Sequence, residues 1–349
     1  MLQGCGAVAA SSLSSRAYAQ PLRASAPVAT SITDELIRAA RHEGRVSFYT
    51  ALDLAVAEKL AKNFEARYPG VAVRVERGGS ERLFQRIGQE HASRIFAADV
   101  VNSADAGHYM TWKRDGWLAP FVPEEVAQFY PAEHRDADGM FATQRVGLIV
   151  MGYNTNLVKG DEAPRGFTDL LDPKWVGKIV KSHPAYSGTA LSATYQIAQE
   201  LGWDYLAKLS RQKVMQVQSA NDAPKKIAIG ERAIMADGNE YTLLMLKDAG
   251  QAVEVVYPSE GTPSVTIPSA IFMNAPNPNA ARLLQCHLFS EATQQLMVDQ
   301  AALRSVHRGV KDKAGRTPLG AIKLMKEDPS ALEAEGEGIK KRYFEYFRV

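Results

Sequence analysis

The stretch Arg45 to Ser80, RVSFYTALDLAVAEKLAKNFEARYPGVAVRVERGGS, decides the fold. Val46-Ser-Phe-Tyr49 reads as a buried strand that ends at Thr50-Ala-Leu-Asp53. Val56, Leu60 and Phe64 then recur at helical spacing, and Val71-Ala-Val-Arg-Val75 forms the next strand. Gly78-Gly79-Ser80 turns tightly and places a serine at the cap of a helix carrying Leu83, Phe84 and Ile87. Beyond it, Ala98-Asp-Val-Val101 is a third strand, ending at Asn102-Ser103-Ala104-Asp105. Such alternation predicts an open α/β sheet, in which ligands bind beyond the carboxyl ends of the strands, where helix N-termini leave N–H groups unpaired. Three strand ends therefore converge on one candidate site, with Thr50, Ser80 and Ser103 as its polar side chains.

The 349 residues are 46% hydrophobic, enough to bury a large core, and the length favours two domains over one. A formal charge of +2 gives no strong steering toward nucleic acid or an anionic membrane. The densest basic cluster, Lys340-Lys-Arg342 followed by Tyr343, Phe344, Tyr346 and Phe347, reads as a C-terminal helix. Its aromatic residues would dock on the body while its lysines face water, so no nucleic-acid partner is expected. Ala17-Tyr-Ala19 before Gln20, preceded by the weakly apolar run Gly6 to Leu13, has the form of a signal-peptidase site, and export to the periplasm is expected. Leu2-Gln-Gly-Cys5 faintly resembles a lipoprotein processing box. Removal of the leader would leave Cys286 as the single cysteine, which excludes an intrachain disulfide and leaves stability to core packing. No later run approaches the roughly 20 apolar residues needed to cross a bilayer.

Gln20 to Ser31, rich in Pro, Ala and Ser, reads as a flexible tether before a helix starting near Thr33. Val146-Gly-Leu-Ile-Val-Met-Gly-Tyr153 is an apolar run long enough to leave one domain and enter another. A second α/β segment follows, with strands at Lys178 to Lys181 and Ala233 to Ala236. Its helices lie after Ser187, from Trp203 to Ser210, from Ala223 to Ile229, and from Tyr241 to about Ala249. Val253 to Tyr257 is another strand, and Pro263 to Pro268 with Ser269 to Met273 returns the chain to the first domain. Two crossings predict a hinge and a discontinuous first lobe. The expected division is 1–31 as signal peptide and tether, 32–147 plus 269–325 as lobe 1, 148–268 as lobe 2, and 326–349 as a C-terminal helical segment packed on the body.

Further segments join those already quoted: Tyr68-Pro-Gly70, Gly116-Trp-Leu-Ala-Pro120, Gly152-Tyr-Asn-Thr155, Phe167-Thr-Asp-Leu-Leu-Asp-Pro-Lys-Trp175, Ser187-Gly-Thr189 and Gly230-Glu231. In order and spacing they resemble the periplasmic solute-binding proteins of ABC importers, in the family that includes ferric-iron-binding proteins. The resemblance implies a two-lobed type II periplasmic-binding-protein fold, each lobe a mixed sheet flanked by helices, joined by a two-segment hinge. It also implies a monomeric, non-enzymatic receptor without a resident cofactor, which closes on a solute and delivers it to an inner-membrane ABC permease. Ferric binders of the family carry two adjacent tyrosines where Glu240 and Tyr241 stand here. Asp53 approximates the position of a metal-binding histidine, and Asp105 lies one step from the usual acidic ligand. The solute is expected to be a small oxyanion or organic acid of carboxylate, phosphonate or phosphate type. Ferric iron, held by Glu240 and Tyr241, is the alternative, and a polyamine or thiamine would be a third.

Ser187-Gly188-Thr189 precedes a helix near Ala190, where hydroxyls and N–H groups receive an anionic group with help from the helix dipole, or simply cap the helix. Asp237-Gly-Asn-Glu-Tyr241 reads as a loop between strand and helix; Asn239 and Tyr241 are its candidate ligand contacts. Arg145 is either a bidentate partner for an acid group or a surface residue at the hinge. The seven histidines show no metal spacing, His91 and His108 being too far apart for one helical face. Cys286 and His287 point about 100° apart on a helix and do not pair locally. With Leu283, Leu284 and Leu288 around it, Cys286 reads as core. A secreted enzyme using Cys286 or Glu240 is the competing class, but no G-x-S-x-G elbow occurs, and Gly78-Gly79 lacks dinucleotide or P-loop spacing.

Overall fold

The computed structural model describes Met1 and residues 26–349. The expected cleavage motif Ala17 to Ala19 and Cys5 lie outside the described residues. The expected tether joins the body before the first helix: the Thr30 N–H donates to the Val122 carbonyl at 2.8 Å, and the Thr30 carbonyl accepts from the Glu124 N–H at 3.0 Å.

Helix α1 (Asp34–Glu43) starts where the Thr33 hydroxyl accepts from the Leu36 N–H, and stops at Gly44, whose φ of 73° suits glycine. The first lobe continues with β1 (Arg45–Thr50), α2 (Leu54–Arg67), β2 (Ala72–Arg77), α3 (Ser80–Ala92), β3 (Val100–Asn102), α4 (Ala106–Arg114) and α5 (Glu124–Phe129). The long β4 (Ala142–Asn154) leads into β5 (Ile179–Ser182), α6 (Gly188–Leu201), α7 (Trp203–Leu209) and β6 (Met215–Val217). Then come α8 (Asp222–Ala228), β7 (Ile234–Asn239), α9 (Glu240–Asp248) and β8 (Val253–Val256). Strand β9 (Ser264–Ile271) returns to the first lobe, followed by α10 (Pro278–Phe289), α11 (Glu291–Ala301) and α12 (Pro329–Phe347).

The strand order is β2-β1-β3-β9-β4-β7-β5-β6, with β8 also on β4. Parallel pairing joins β1 to β2 and β3, and β5 to β6 and β7, while β4 and β9 run antiparallel to their neighbours. Each lobe thus holds a mixed sheet, as the sequence predicts. Residues Ala142 to Leu148 of β4 pair with β9, whereas Ile149 to Asn154 pair with β7 and β8, so one strand serves both lobes. The hinge is this paired β4–β9 ribbon.

Both faces of each lobe are covered. Phe48, Leu60, Phe64, Leu284 and Leu288 fill one side of the first sheet, and Tyr49, Tyr109, Trp112 and Phe272 the other. In the second lobe Ile179, Ile197, Leu206 and Ile234 pack on one face, Val150, Ile227, Met235 and Leu243 on the other. Each such side chain, removed from water, contributes about 1.5–3 kcal/mol. Cys286 is buried, its thiol directed at the Thr30 carbonyl 3.7 Å away and pushed up to about 12 by burial, which leaves no thiolate for nucleophilic chemistry.

Three details differ from the sequence expectation. Strand β7 runs through Asn239, so Asp237 sits on a buried strand, bonded to Lys181 and to the Ser182 N–H, instead of in a loop. The return path, as expected, is strand β9, which carries Pro268 opposite Thr143. Residues up to 325 do not all stay with the first lobe: after Arg304 bridges to Val146 at the hinge, Ile322 and Met325 pack into second-lobe cores. This third passage is irregular chain without strand periodicity, which is why pattern reading misses it. Finally, α12 lies across both lobes. Leu332 and Ile339 pack on Leu191, and the Tyr343 hydroxyl donates to Gln216 at 2.8 Å. Toward the first lobe Glu333 meets Thr111 and Arg114, and Lys340 pairs with Glu81 at 2.8 Å instead of facing water. Phe344, expected to dock, is exposed.

The approach to α12 carries a pH-sensitive group. Glu327 accepts from the Thr266 N–H and hydroxyl and from the Ser192 hydroxyl, yet burial outweighs these bonds and pushes its carboxyl up to about 7. The folded protein therefore holds a proton on Glu327 that the unfolded chain releases, so this group's contribution to stability is full below about pH 4.5 and falls as pH rises toward 7. Glu327→Gln is expected to abolish this decline; parallel melting-temperature profiles for the two proteins from pH 4 to 8 would refute it.

Candidate functional site

Between the lobes lies a nearly closed cavity of about 20 Å³, lined by Ala51, Gly79, Ser80, Ala104, Arg145, Ser187, Thr189, Ser219, Asn221, Asn239, Tyr241 and Ile267. It sits at the carboxyl ends of β1, β2, β3, β6 and β7, the position the open-sheet rule dictates. A volume of this size holds about one water, so the lobes must part to admit a solute.

From the first lobe comes Ser80. Gly79, not Ser80, occupies the N-cap of α3, which frees the Ser80 hydroxyl to accept from the Ala104 N–H at 3.2 Å. Thr50 and Ser103, expected at the site, are buried but do not line the cavity. The Thr50 hydroxyl accepts from Leu52 N–H to turn the chain after β1, leaving Ala51 at the wall. Ser103 donates its N–H to the Tyr109 hydroxyl at 2.9 Å.

From the second lobe, Ser187 caps α6: its hydroxyl accepts from the Ala190 N–H at 3.3 Å and lies 2.9 Å from the Thr189 hydroxyl. Gly188 does not line the cavity; it packs against Ser80 and Asp105 of the opposite lobe. Asn221 and Ser219 follow β6, a strand of three residues too short to announce its end in the sequence. Asn221 Oδ1 accepts from Asn239, from the Tyr241 hydroxyl at 2.7 Å and from Thr242 at 3.0 Å. The Tyr241 oxygen accepts in turn from the Asp53 N–H at 3.1 Å, tying the lobes together, and burial holds its phenol above the ordinary value. Around the rim Arg77 reaches Ser219 at 3.1 Å, Arg82 meets Gln218, and Lys225 pairs with Asp53 at 2.9 Å.

Arg145 forms the floor, buried and not a surface residue. A bulge in β4 between Thr143 and Arg145 lets consecutive side chains meet, and such bulges re-aim residues at functional sites. Its Nη1 donates to Asn102 and, at 2.8 Å, to Gln144, while its buried Nε has no partner among the described residues. Burial lowers its pKa to about 10, so it stays cationic at neutral pH.

Glu240 does not stand beside Tyr241 at the cavity. Its carboxylate takes both Arg304 bonds, at 2.7 and 2.8 Å, plus the Tyr257 hydroxyl at 2.6 Å, with Arg316 3.5 Å away. Adjacent residues at a helix start point apart, and this one turns to the hinge tail. The histidines escape spacing rules in one place: His108 lies 3.6 Å from Glu81 and 3.4 Å from Asp105, where Lys340 already supplies a cation.

The sequence pattern of the bacterial extracellular solute-binding protein family matches residues 97–318. The chain belongs to this family. Among curated relatives of this solute-binding protein, a probable ABC transporter periplasmic-binding protein, y4fP of Sinorhizobium fredii, is 24% identical over 215 residues, spanning 58% of this chain and 58% of that protein. Among solved structures, the periplasmic binding protein AfuA of Actinobacillus pleuropneumoniae, with exogenous fructose-6-phosphate bound, superposes with a TM-score of 0.80 at 24% identity, covering 88% of this chain and 99% of AfuA. Iron-bound HitA of Pseudomonas aeruginosa gives 0.73 at 21% identity, covering 86% and 99%. These likenesses establish the two-lobed type II periplasmic-binding-protein fold.

Proposed function

We propose that this solute-binding protein is the periplasmic receptor of an ABC importer, and that it captures a small oxyanion, a phosphate ester, phosphonate or carboxylate, by closing its lobes. One observation carries the choice of ligand. Among the described residues the cavity lining offers hydroxyls, amides, two helix N-termini and the Arg145 guanidinium, and no carboxylate. Dipoles and a buried cation in that arrangement favour negative charge. The binding of fructose-6-phosphate by AfuA agrees in chemistry with this reading. A monomer that meets an inner-membrane permease in its closed form follows from the same role, and neither catalytic residues nor a resident cofactor are invoked.

The lining does not favour a polyamine or thiamine, which would need carboxylates. Ferric iron fares little better: Glu240 is committed to Arg304, and Tyr241 is a neutral phenol cross-linking the lobes. A thermal-shift panel of sugar phosphates, phosphonates, carboxylates, polyamines and ferric salts tests the assignment. A ligand at 100 times its Kd adds about 2.7 kcal/mol of stability, and that response is expected from a phosphate ester or related oxyanion. Stabilisation by polyamines alone would overturn the reading. So would a charge-transfer band on adding Fe(III) that Tyr241→Phe removes.

A further inference from the structure

Two glycines, one from each lobe, stand where the N-termini of α3 and α6 converge. Gly79 has φ −64° and ψ 151°, and Gly188, the first residue of α6, is likewise outside the left-handed region. Neither backbone requires glycine, since any L-residue adopts these angles without strain. What requires it is the opposite lobe. A Cβ on Gly79 would stand 2.6 Å from the Tyr186 carbonyl oxygen. On Gly188 it would stand 2.8 Å from the Asp105 Cβ and 3.0 Å from the Ser80 Cβ. These partners are a main-chain carbonyl and the first side-chain carbons of two buried residues, which cannot swing aside as the end of a long side chain would.

We propose that Gly79 and Gly188 set the stop of lobe closure: because neither carries a side chain, the two helix ends approach until Ser80, Ser187 and Thr189 share one cavity. A methyl at either position holds the lobes apart while leaving each lobe intact. This rests on the closing-receptor reading and adds to it the residues that fix how far closure proceeds. The contact is steric and made with the opposite lobe, so it limits closure whichever ligand is present.

The test needs no ligand. Arg82→Cys and Gln218→Cys place thiols on side chains that meet across the rim, in a Cys5→Ser background where buried Cys286 is unreactive. Dibromobimane, which fluoresces when both thiols react, then reports how often the lobes close. Gly79→Ala and Gly188→Ala are each expected to slow bridging on the order of tenfold, with melting temperatures at or above the parent's. Gly88→Ala, whose methyl meets nothing within 4 Å, is expected to bridge at the parent rate. Parent-like bridging in both closure variants would overturn the inference while leaving the receptor reading standing. No bridging in the parent would overturn the inference, because the glycine contacts would then not form in the free protein.

Discussion

Replacing Arg145 by alanine is expected to weaken oxyanion binding by on the order of a hundredfold or more, since truncating a buried, hydrogen-bonded charge partner costs about 2–5 kcal/mol. Among the described residues its guanidinium is the one charged side chain in the cavity lining. Arg145→Lys retains the charge but not the planar fork, so recovery is expected to be partial. Stability should fall much less, by about 1–3 kcal/mol, from leaving the acceptors of Asn102 and Gln144 unpaired. Calorimetric titration with whichever oxyanion responds in the thermal-shift panel separates the two effects. Binding by Arg145→Ala within a few-fold of the parent would mean that the cavity recognises its guest without this cation.

The second large effect is on stability. Glu240→Ala strips the carboxylate from two arginines that are 2% and 5% exposed on their side chains, leaving like charges buried together. Breaking such a pair costs about 3–5 kcal/mol, and the midpoint of denaturant unfolding is expected to drop accordingly. Glu240→Gln retains an acceptor for Arg304 and should lie between. If Glu240 instead served a cavity ligand, its removal would change affinity with little change in the unfolding midpoint. Arg304→Leu combined with Glu240→Leu, removing donor and acceptor together, is expected to restore part of the loss.

Much of the fold is legible in the sequence. The period-2 and period-3.6 patterns from Val46 to Phe64 place β1 and α2, and the apolar run from Val146 marks β4 because it is buried from end to end. Capping chemistry places Ser187, and the passage from strand to helix places Tyr241, where the structure has them on the cavity wall. Other residues leave no local mark. Asn221 follows a strand of three residues, and Arg145 owes its direction to a bulge that only pairing with β9 reveals. A glutamate at a helix start looks the same whether it faces a ligand or an arginine sixty-four positions away, so Glu240 was misplaced. Gly188 precedes a helix like any capping glycine, and only the assembled lobes show that it faces Ser80 and Asp105.

The placement of α12 bears on how the molecule opens. Its grip on the second lobe is greasy, through Leu332, Ile339 and the Tyr343 ring, whereas its hold on the first, where its backbone passes close to Gly107, is made by the Glu333 and Lys340 ion pairs and the Thr111 hydroxyl. On opening, the tail should ride with the second lobe and peel from the first, as a hasp stays with its door. A label near Val349 would then track the second lobe's swing.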